Sequence, residues 1–187
     1  MRIVAGLAKG RRLAAPADAT RPTSDRAREA LFNSLAALLD LDGIRVLDLF
    51  AGTGAVGLEA LSRGAAEAVF VESDRAALDV LRRNVDAVGL PGATVVRRPV
   101  AAFLDGAREA REDARFDFVF ADPPYALDDA ALGALLTSLV DGDHLAEHAV
   151  VVVERSARGA GPDWPTGITP IRDRRYGEGV LWYGRRQ

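Results

Sequence analysis

The sequence predicts an α/β fold, a mostly parallel seven-stranded sheet with helices on both faces, preceded by a short N-terminal β-hairpin. Three observations predict it. Apolar runs of strand length at 44–50, 67–72, 93–97, 116–121 and 148–154 alternate with segments of helical spacing at 55–63, 75–88, 99–112 and 128–140. That alternation is the pattern of a parallel sheet whose crossover helices cover both faces. The first run, Ile44 to Phe50, opens into Ala51-Gly52-Thr53-Gly54-Ala55-Val56-Gly57, after which Leu58 to Leu61 continue at helical spacing. Strand, glycine turn and helix form the opening of a nucleotide-binding unit, where glycines admit a ligand to the backbone and the helix start presents unpaired N–H groups. Finally, residues 169–175 and 180–183 flank Tyr176-Gly177-Glu178-Gly179 and read as a closing hairpin, which brings the strands to seven.

The remaining elements follow in chain order. Residues 2–7 and 11–15 read as short strands around Ala8-Lys9-Gly10, a basic hairpin. Thr23 or Ser24 is placed to cap a helix running to about Leu39, with Leu31, Leu35 and Leu38 as its core stripe. Residues 156–166, rich in Gly and Pro, read as a loop. We therefore expect an arm over 1–20 and one larger domain over 21–187.

Composition narrows the chemistry. The chain has 187 residues, 49% of them hydrophobic, so it can bury a real core. With no cysteine it has neither disulfides nor a thiolate nucleophile. His144 and His148 lie four apart, a spacing that suits a metal on one helix face. Without a further ligand cluster they read as surface or helix-end residues, and no metal is expected. No secretion signal opens the chain and no apolar run reaches membrane-spanning length, which points to the cytoplasm. Nothing demands more than a monomer. Net charge is −3 but unevenly spread: +4 over residues 1–30 and +3 over 172–187, which leaves −10 in the body. Basic ends on an acidic body can make a phosphate-binding surface despite the overall sign.

The strongest chemical signal is Asp122-Pro123-Pro124-Tyr125, directly after the apolar run 116–121. Two prolines fix φ and remove two N–H donors, so a strand end is left offering acceptors beside an aromatic face. That combination suits a planar base bearing an exocyclic amine. The amine is a poor nucleophile because its lone pair is delocalised, and accepting its protons pushes that lone pair toward an electrophile. Upstream, Gly52, Gly54 and Gly57 satisfy G-x-G-x-x-G, and Glu72 ends the second strand about 20 residues on, where an acid binds ribose hydroxyls. Nicotinamide dinucleotide binding shares this pattern. Asp48 argues against it, because a carboxylate in the strand repels a pyrophosphate but suits a cationic amino or sulfonium group. Ligands of such sheets sit beyond the carboxyl ends of the strands, so these loops converge on one crevice.

Asp48 to Gly54, Glu72 and Asp122-Pro123-Pro124-Tyr125 together resemble the S-adenosylmethionine-dependent amino-methyltransferases. Arg2-Ile3-Val4-Ala5-Gly6, Gly10-Arg11-Arg12-Leu13 and Arg21-Pro22-Thr23-Ser24-Asp25-Arg26-Ala27-Arg28-Glu29-Ala30-Leu31-Phe32-Asn33 resemble one family among them, the RsmD family of ribosomal RNA (guanine-N2) methyltransferases. The resemblance runs from residue 2 to the C-terminus and implies a Rossmann-like methyltransferase fold. It implies S-adenosylmethionine held by Thr23, Asp48, Phe50, Ala51, Gly52, Gly54, Glu72 and Asp122. Catalysis would fall to Asp122, Pro123, Pro124 and Tyr125. The partner would be small-subunit (16S) ribosomal RNA, presented on an assembled or partly assembled small subunit and touched by Arg2, Lys9, Arg11, Arg12 and Arg26. Arg97-Arg98-Pro99-Val100 departs from the pattern, since such enzymes often carry Asp or Asn there to reach the adenine amine. A DNA adenine-N6 methyltransferase is the alternative, and the short chain leaves little room for its base-reading domain. A non-catalytic nucleotide-binding module is a third possibility.

Overall fold

The computed structural model describes residues 1–15, 25–106 and 115–187. Its sheet has the order β3-β2-β1-β4-β5-β7-β6. The strands are β1 (Arg45–Leu49), β2 (Glu67–Glu72), β3 (Ala93–Arg97), β4 (Phe116–Ala121), β5 (Leu145–Ser156), β6 (Ile168–Tyr176) and β7 (Gly179–Arg186). The first five pair in parallel, whereas β7 lies antiparallel between β5 and β6, so the sheet is mixed at that edge. The chain winds outward from β1 to β3 and then returns to place β4 on the other side of β1. That reversal opens a crevice above the carboxyl ends of β1 and β4.

Alternation along the strands divides the core in two. Val46, Phe70, Phe118, Phe120 and Val152 face α1 (Asp25–Leu35), α2 (Ala55–Ser62) and α3 (Arg75–Val88). Leu47, Val71, Val119 and Val153 face α4 (Val100–Leu104) and α5 (Asp129–Asp141). Capping sets the helix ends: Asp74 accepts the Ala77 amide at 2.8 Å, Gly89 ends α3 in the left-handed region, and Asp128 accepts the Ala131 amide at 2.7 Å.

The structure corrects several sequence expectations. The N-terminal hairpin is closed by one bridge, Arg2 to Arg12, rather than by two strands. The Val4 and Ala5 amides donate instead to the Glu59 carboxylate (2.7 and 2.9 Å), and the Leu7 amide donates to the Ser62 carbonyl (2.7 Å). Ile3, Ala8 and Leu13 are thereby sunk into the first core cluster. Helix α1 stops at Leu35, short of the expected Leu39. Arg172 and Arg185 donate to the Ser34 and Leu38 carbonyls, satisfying the helix end from β6 and β7. The expected cap at Thr23 or Ser24 lies outside the described residues, as does the distal part of the helix expected over 99–112. Strand β5 begins at Leu145 rather than 148 and bulges, with His148 at φ 63. His144 is not a surface residue: it is buried, its Nε2 lies 3.0 Å from the Leu104 carbonyl, and its ring packs near Phe103. His148 is exposed. The two therefore do not share a helix face.

Candidate active site

The crevice is lined by acids brought into rows by strand register. Leu49 is level with Val71 and Ala121, and Ala121 is level with Val153. Glu72, Asp122 and Glu154 each fall one residue beyond that row, and Asp48 one residue before it. All four continue the alternation that sends Phe70, Phe120 and Val152 toward α1–α3. Glu154 was not singled out from the sequence. The signal was an acid two residues after the buried Val152, at the end of the apolar run on the neighbouring strand.

Asp48 is 2% exposed, and its Oδ2 accepts the Gly57 amide at 3.0 Å. Burial pushes its carboxyl up to about 8. The Gly57 bond opposes this, and the negative charges of Asp122 and Glu72 add to it. At neutral pH it holds a proton that an arriving cation would displace.

The glycine loop is built on three left-handed residues: Phe50 (φ 57), Gly52 (φ 54) and Gly54 (φ 75). A phenylalanine in that region costs on the order of 1–3 kcal/mol, a strain that the surrounding bonds hold in place. The Ala51 amide donates to the Val71 carbonyl (3.1 Å) and the Gly54 amide to the Ala51 carbonyl (2.7 Å). At Gly52 a Cβ would meet nothing nearer than 3.9 Å, so its edge is open to a ligand. At Gly54 a Cβ would come within 2.3 Å of Leu81, so this glycine serves packing. Asn84, also not singled out from the sequence, pins the loop from behind. It is buried, donates to the carbonyls of Thr53 (2.8 Å) and Ala14 (3.1 Å), and accepts the Ala14 amide (2.7 Å). An asparagine between Leu81 and Val88 on the apolar stripe of α3 was the available clue.

Glu72 presents its carboxylate to backbone: Oε2 accepts the Gly52 amide at 2.9 Å, and Oε1 accepts those of Ser73 and Asp74 at 2.7 and 2.8 Å. Beyond β3, Pro99 caps α4 and Val100 is buried, so no carboxylate stands at Arg97 to Val100.

Asp122 is exposed into the crevice, yet enclosing protein atoms, and then the charge of Glu154, push its carboxyl up to about 7. Crevice water tempers that rise, and a ligand covering the residue would remove the water. Pro124 gives its carbonyl to the Leu127 amide (2.9 Å), closing the turn into α5. Among the described residues no donor reaches the Pro123 carbonyl. Tyr125 is 83% exposed, so its ring is not held in the core. Two acceptors and an exposed aromatic ring thus stand at the end of β4, the strand paired with β1, whose own end carries the glycine loop. Asp48, Phe50, Ala51, Gly52, Gly54, Glu72 and Asp122 converge here, while Thr23 lies outside the described residues.

The basic residues divide by what they touch. Lys9, Arg12 and Arg26 are exposed, and so is Arg2, whose Nε lies 3.8 Å from Asp25. Arg11 directs one guanidinium nitrogen to the Val88 carbonyl at the end of α3. Arg28 is fully buried between Glu59 (3.5 Å), Asp25 (2.9 Å) and the Arg2 carbonyl. Near the C-terminus Arg172 and Arg185 serve α1, and Arg186 points to the Gly167 carbonyl at 3.4 Å. Much of the C-terminal basic charge is therefore engaged within the fold.

Known proteins share this geometry and sequence. The family described as conserved hypothetical protein 95 matches residues 1–185. Ribosomal RNA small subunit methyltransferase D of Escherichia coli (strain K12) is 37% identical over 179 residues, covering 95% of this chain and 86% of that protein. Two solved structures are also similar. The yhhF protein of Escherichia coli is 35% identical with a TM-score of 0.86, over 100% of this chain and 98% of that one. A protein of Thermus thermophilus is 40% identical with a TM-score of 0.80, over 98% of each.

Proposed function

Because the chain belongs to the family described as conserved hypothetical protein 95, and its crevice pairs a glycine loop with an acceptor-rich strand end, we propose that it is a ribosomal RNA methyltransferase. It moves a methyl group from S-adenosylmethionine to the N2 amine of a guanine in small-subunit RNA. One observation carries this reading. Strand register sets Asp122 and the turn through the exposed Tyr125 at the end of β4, next to the end of β1 that carries the buried Asp48 and the glycine loop. The substrate class is supported by the 37% identity to ribosomal RNA small subunit methyltransferase D.

The residues fit S-adenosylmethionine. Asp48 suits its cationic methionine end, the Gly52 edge and Glu72 suit its ribose, and four acids around the crevice disfavour a pyrophosphate. Bound there, the cofactor supplies an electrophilic methyl on a positive sulfur. Tyr125 stacks on the target base, while Asp122 and the Pro123 carbonyl accept the two amine protons. That concentrates the nitrogen lone pair and orients it, so most of the acceleration is positioning and electrostatics. Once the N–C bond has formed, Asp122 takes the surplus proton. A stacked or paired base cannot reach this pocket, so the target is unpaired or flipped out.

Residues 1–20 act as a basic arm and 21–187 as the catalytic domain, with Lys9, Arg12, Arg2 and Arg26 meeting phosphate. The protein works in the cytoplasm as a monomer on an assembled or partly assembled small subunit. Among the described residues no helix is long and apolar enough to cross a membrane.

The test is tritium transfer from labelled S-adenosylmethionine to small subunits from a strain lacking this protein. Wild type should label the RNA, and digestion should yield N2-methylguanosine. Asp122→Ala should lose transfer by at least about 100-fold while keeping cofactor affinity within about threefold. N6-methyladenosine, or nicotinamide binding in place of S-adenosylmethionine, would overturn the proposal.

A further inference from the structure

RNA is a polyanion and the crevice is lined by acids, so the backbone of the target nucleotide needs a cation close to that crevice. The tip of the N-terminal arm does not supply it. The Leu7 amide is fastened to the Ser62 carbonyl and Arg11 to the Val88 carbonyl, and Ser62 and Val88 are the last residues of α2 and α3. Both helices start at the carboxyl ends of strands and run back toward the amino ends, so Lys9 lies at the end of the sheet away from the crevice.

Strand register brings a cation to the crevice end. Ala121 pairs with Val153, so Asp122 falls level with Glu154 on β5. Glu154 pairs with Leu181 on β7, and Leu181 pairs with Arg174 on β6. Arg174 thus stands in the row of Asp122, three strands across, a span of about 14 Å at about 4.8 Å per strand. It is on the same face of the sheet. Leu181 packs in the α1–α3 cluster, and Arg172, two residues before Arg174, lies over the Tyr183 ring of that cluster at 5.5 Å. The positive charge of Arg174 also acts on the Tyr183 phenol. The other arginines of β6 are engaged: Arg172 donates to the Ser34 carbonyl (3.2 Å) and Arg175 to the Gly177 carbonyl (3.3 Å). Arg174 is exposed and, among the described residues, has neither a hydrogen bond nor an ion pair.

We propose that Arg174 is a phosphate anchor for the target strand: its guanidinium binds a backbone phosphate next to the guanine whose amine donates to Asp122. The inference rests on the RNA methyltransferase reading above and deepens it. One nucleotide joins the base at Asp122 to its phosphate, and an extended arginine side chain covers the rest of the span. A guanidinium presents paired N–H donors that match two phosphate oxygens, so the contact orients the strand as well as attracting it. It carries no base information; it fixes the register in which the amine arrives at Asp122.

The test measures binding to small subunits from a strain lacking this protein, across a range of salt, for wild type, Arg174→Gln and Arg174→Lys. Thermal unfolding and S-adenosylmethionine binding are the controls for folding. Arg174→Gln should weaken subunit binding by roughly 10-fold and lower the salt slope by about 0.7 to 0.9, the share of one phosphate contact. Its cofactor affinity should stay within about twofold, since the two sites share no partner. Arg174→Lys should keep the slope, because the charge remains, and transfer more slowly, because a point charge does not orient the strand. A second arm places one methylphosphonate, an uncharged linkage, on either side of the target guanine, once mapped, in reconstituted subunits. With wild type, one of the two linkages should cost as much binding as Arg174→Gln does, and Arg174→Gln should be indifferent to that linkage. An unchanged salt slope in Arg174→Gln, or losses that add at both linkages, would overturn the anchor. Wild-type protein that binds subunits but transfers no methyl to their RNA would overturn the methyltransferase reading, and this inference with it.

Discussion

Replacing Asp48 with asparagine separates the cost of a buried acid from its use. Asparagine keeps the shape, and its carbonyl can still accept the Gly57 amide now held at 3.0 Å. In the wild type the carboxyl is raised to about 8, chiefly by burial. The folded state therefore binds this proton across a range in which the unfolded chain has released it. Stability then falls as pH rises from about 4 to about 8, by about 1.4 kcal/mol per pH unit from this one group. At pH 7 the accumulated penalty is about 4 kcal/mol, an upper figure because neighbouring acids can relax. Asp48→Asn should remove it, raising the midpoint at pH 7 by on the order of 10 °C and leaving the two proteins alike near pH 4. Binding should move the other way. A cationic ligand favours the ionised carboxylate, so wild-type affinity for S-adenosylmethionine should climb toward pH 8 while the variant binds weakly and with little pH dependence. Thermal unfolding from pH 4 to 9 and calorimetric titration over the same range measure both. A variant less stable at pH 7, or a stability gain equal at all pH values, would show that Asp48 is already ionised in the free protein and refute the reasoning.

Other outcomes follow from the same geometry. Gly57→Ala would bring a methyl within 2.3 Å of Phe70, which is fully buried. Overpacking of about 1–3 kcal/mol should outweigh a helix-propensity gain of about 1 kcal/mol, a net loss readable by chemical denaturation. Replacing both Lys9 and Arg12 with alanine should weaken RNA binding and reduce its salt slope by about 1.4, near 0.7 per lost single-strand phosphate contact. An unchanged slope would remove these side chains from the RNA interface. Arg11→Ala, by contrast, should loosen the end of α3 and move the slope less.

Elements whose evidence is local were legible in the sequence. The expected bounds of β2, α3, β3 and β4 coincide with those observed, because strand alternation, helical spacing and caps such as Asp74 and Gly89 act within a few residues. The seven strands and the convergence of Asp48, Gly52, Glu72 and Asp122 were legible for the same reason, given that ligands sit at carboxyl strand ends. Misreadings came where distant segments decide. His144 reads as a surface or helix-end residue but is buried just ahead of a bulged strand, and Leu104, forty residues away, gives it its partner, whereas His148 is exposed as expected. The N-terminal residues look like two strands, yet Glu59 and Ser62 take their amides.

Sequence alone therefore determined the architecture and set the glycine loop and the Asp122 turn at the carboxyl ends of their strands, because periodicity and turn chemistry are written in adjacent positions. Only tertiary structure decided which charges are spent and which are available. Arg28, Arg172 and Arg185 bind within the fold while Lys9 and Arg12 stay exposed. Charge carries no periodic signature, and the partner of a charged side chain is set by strand order and register, which depend on the packing of the whole chain.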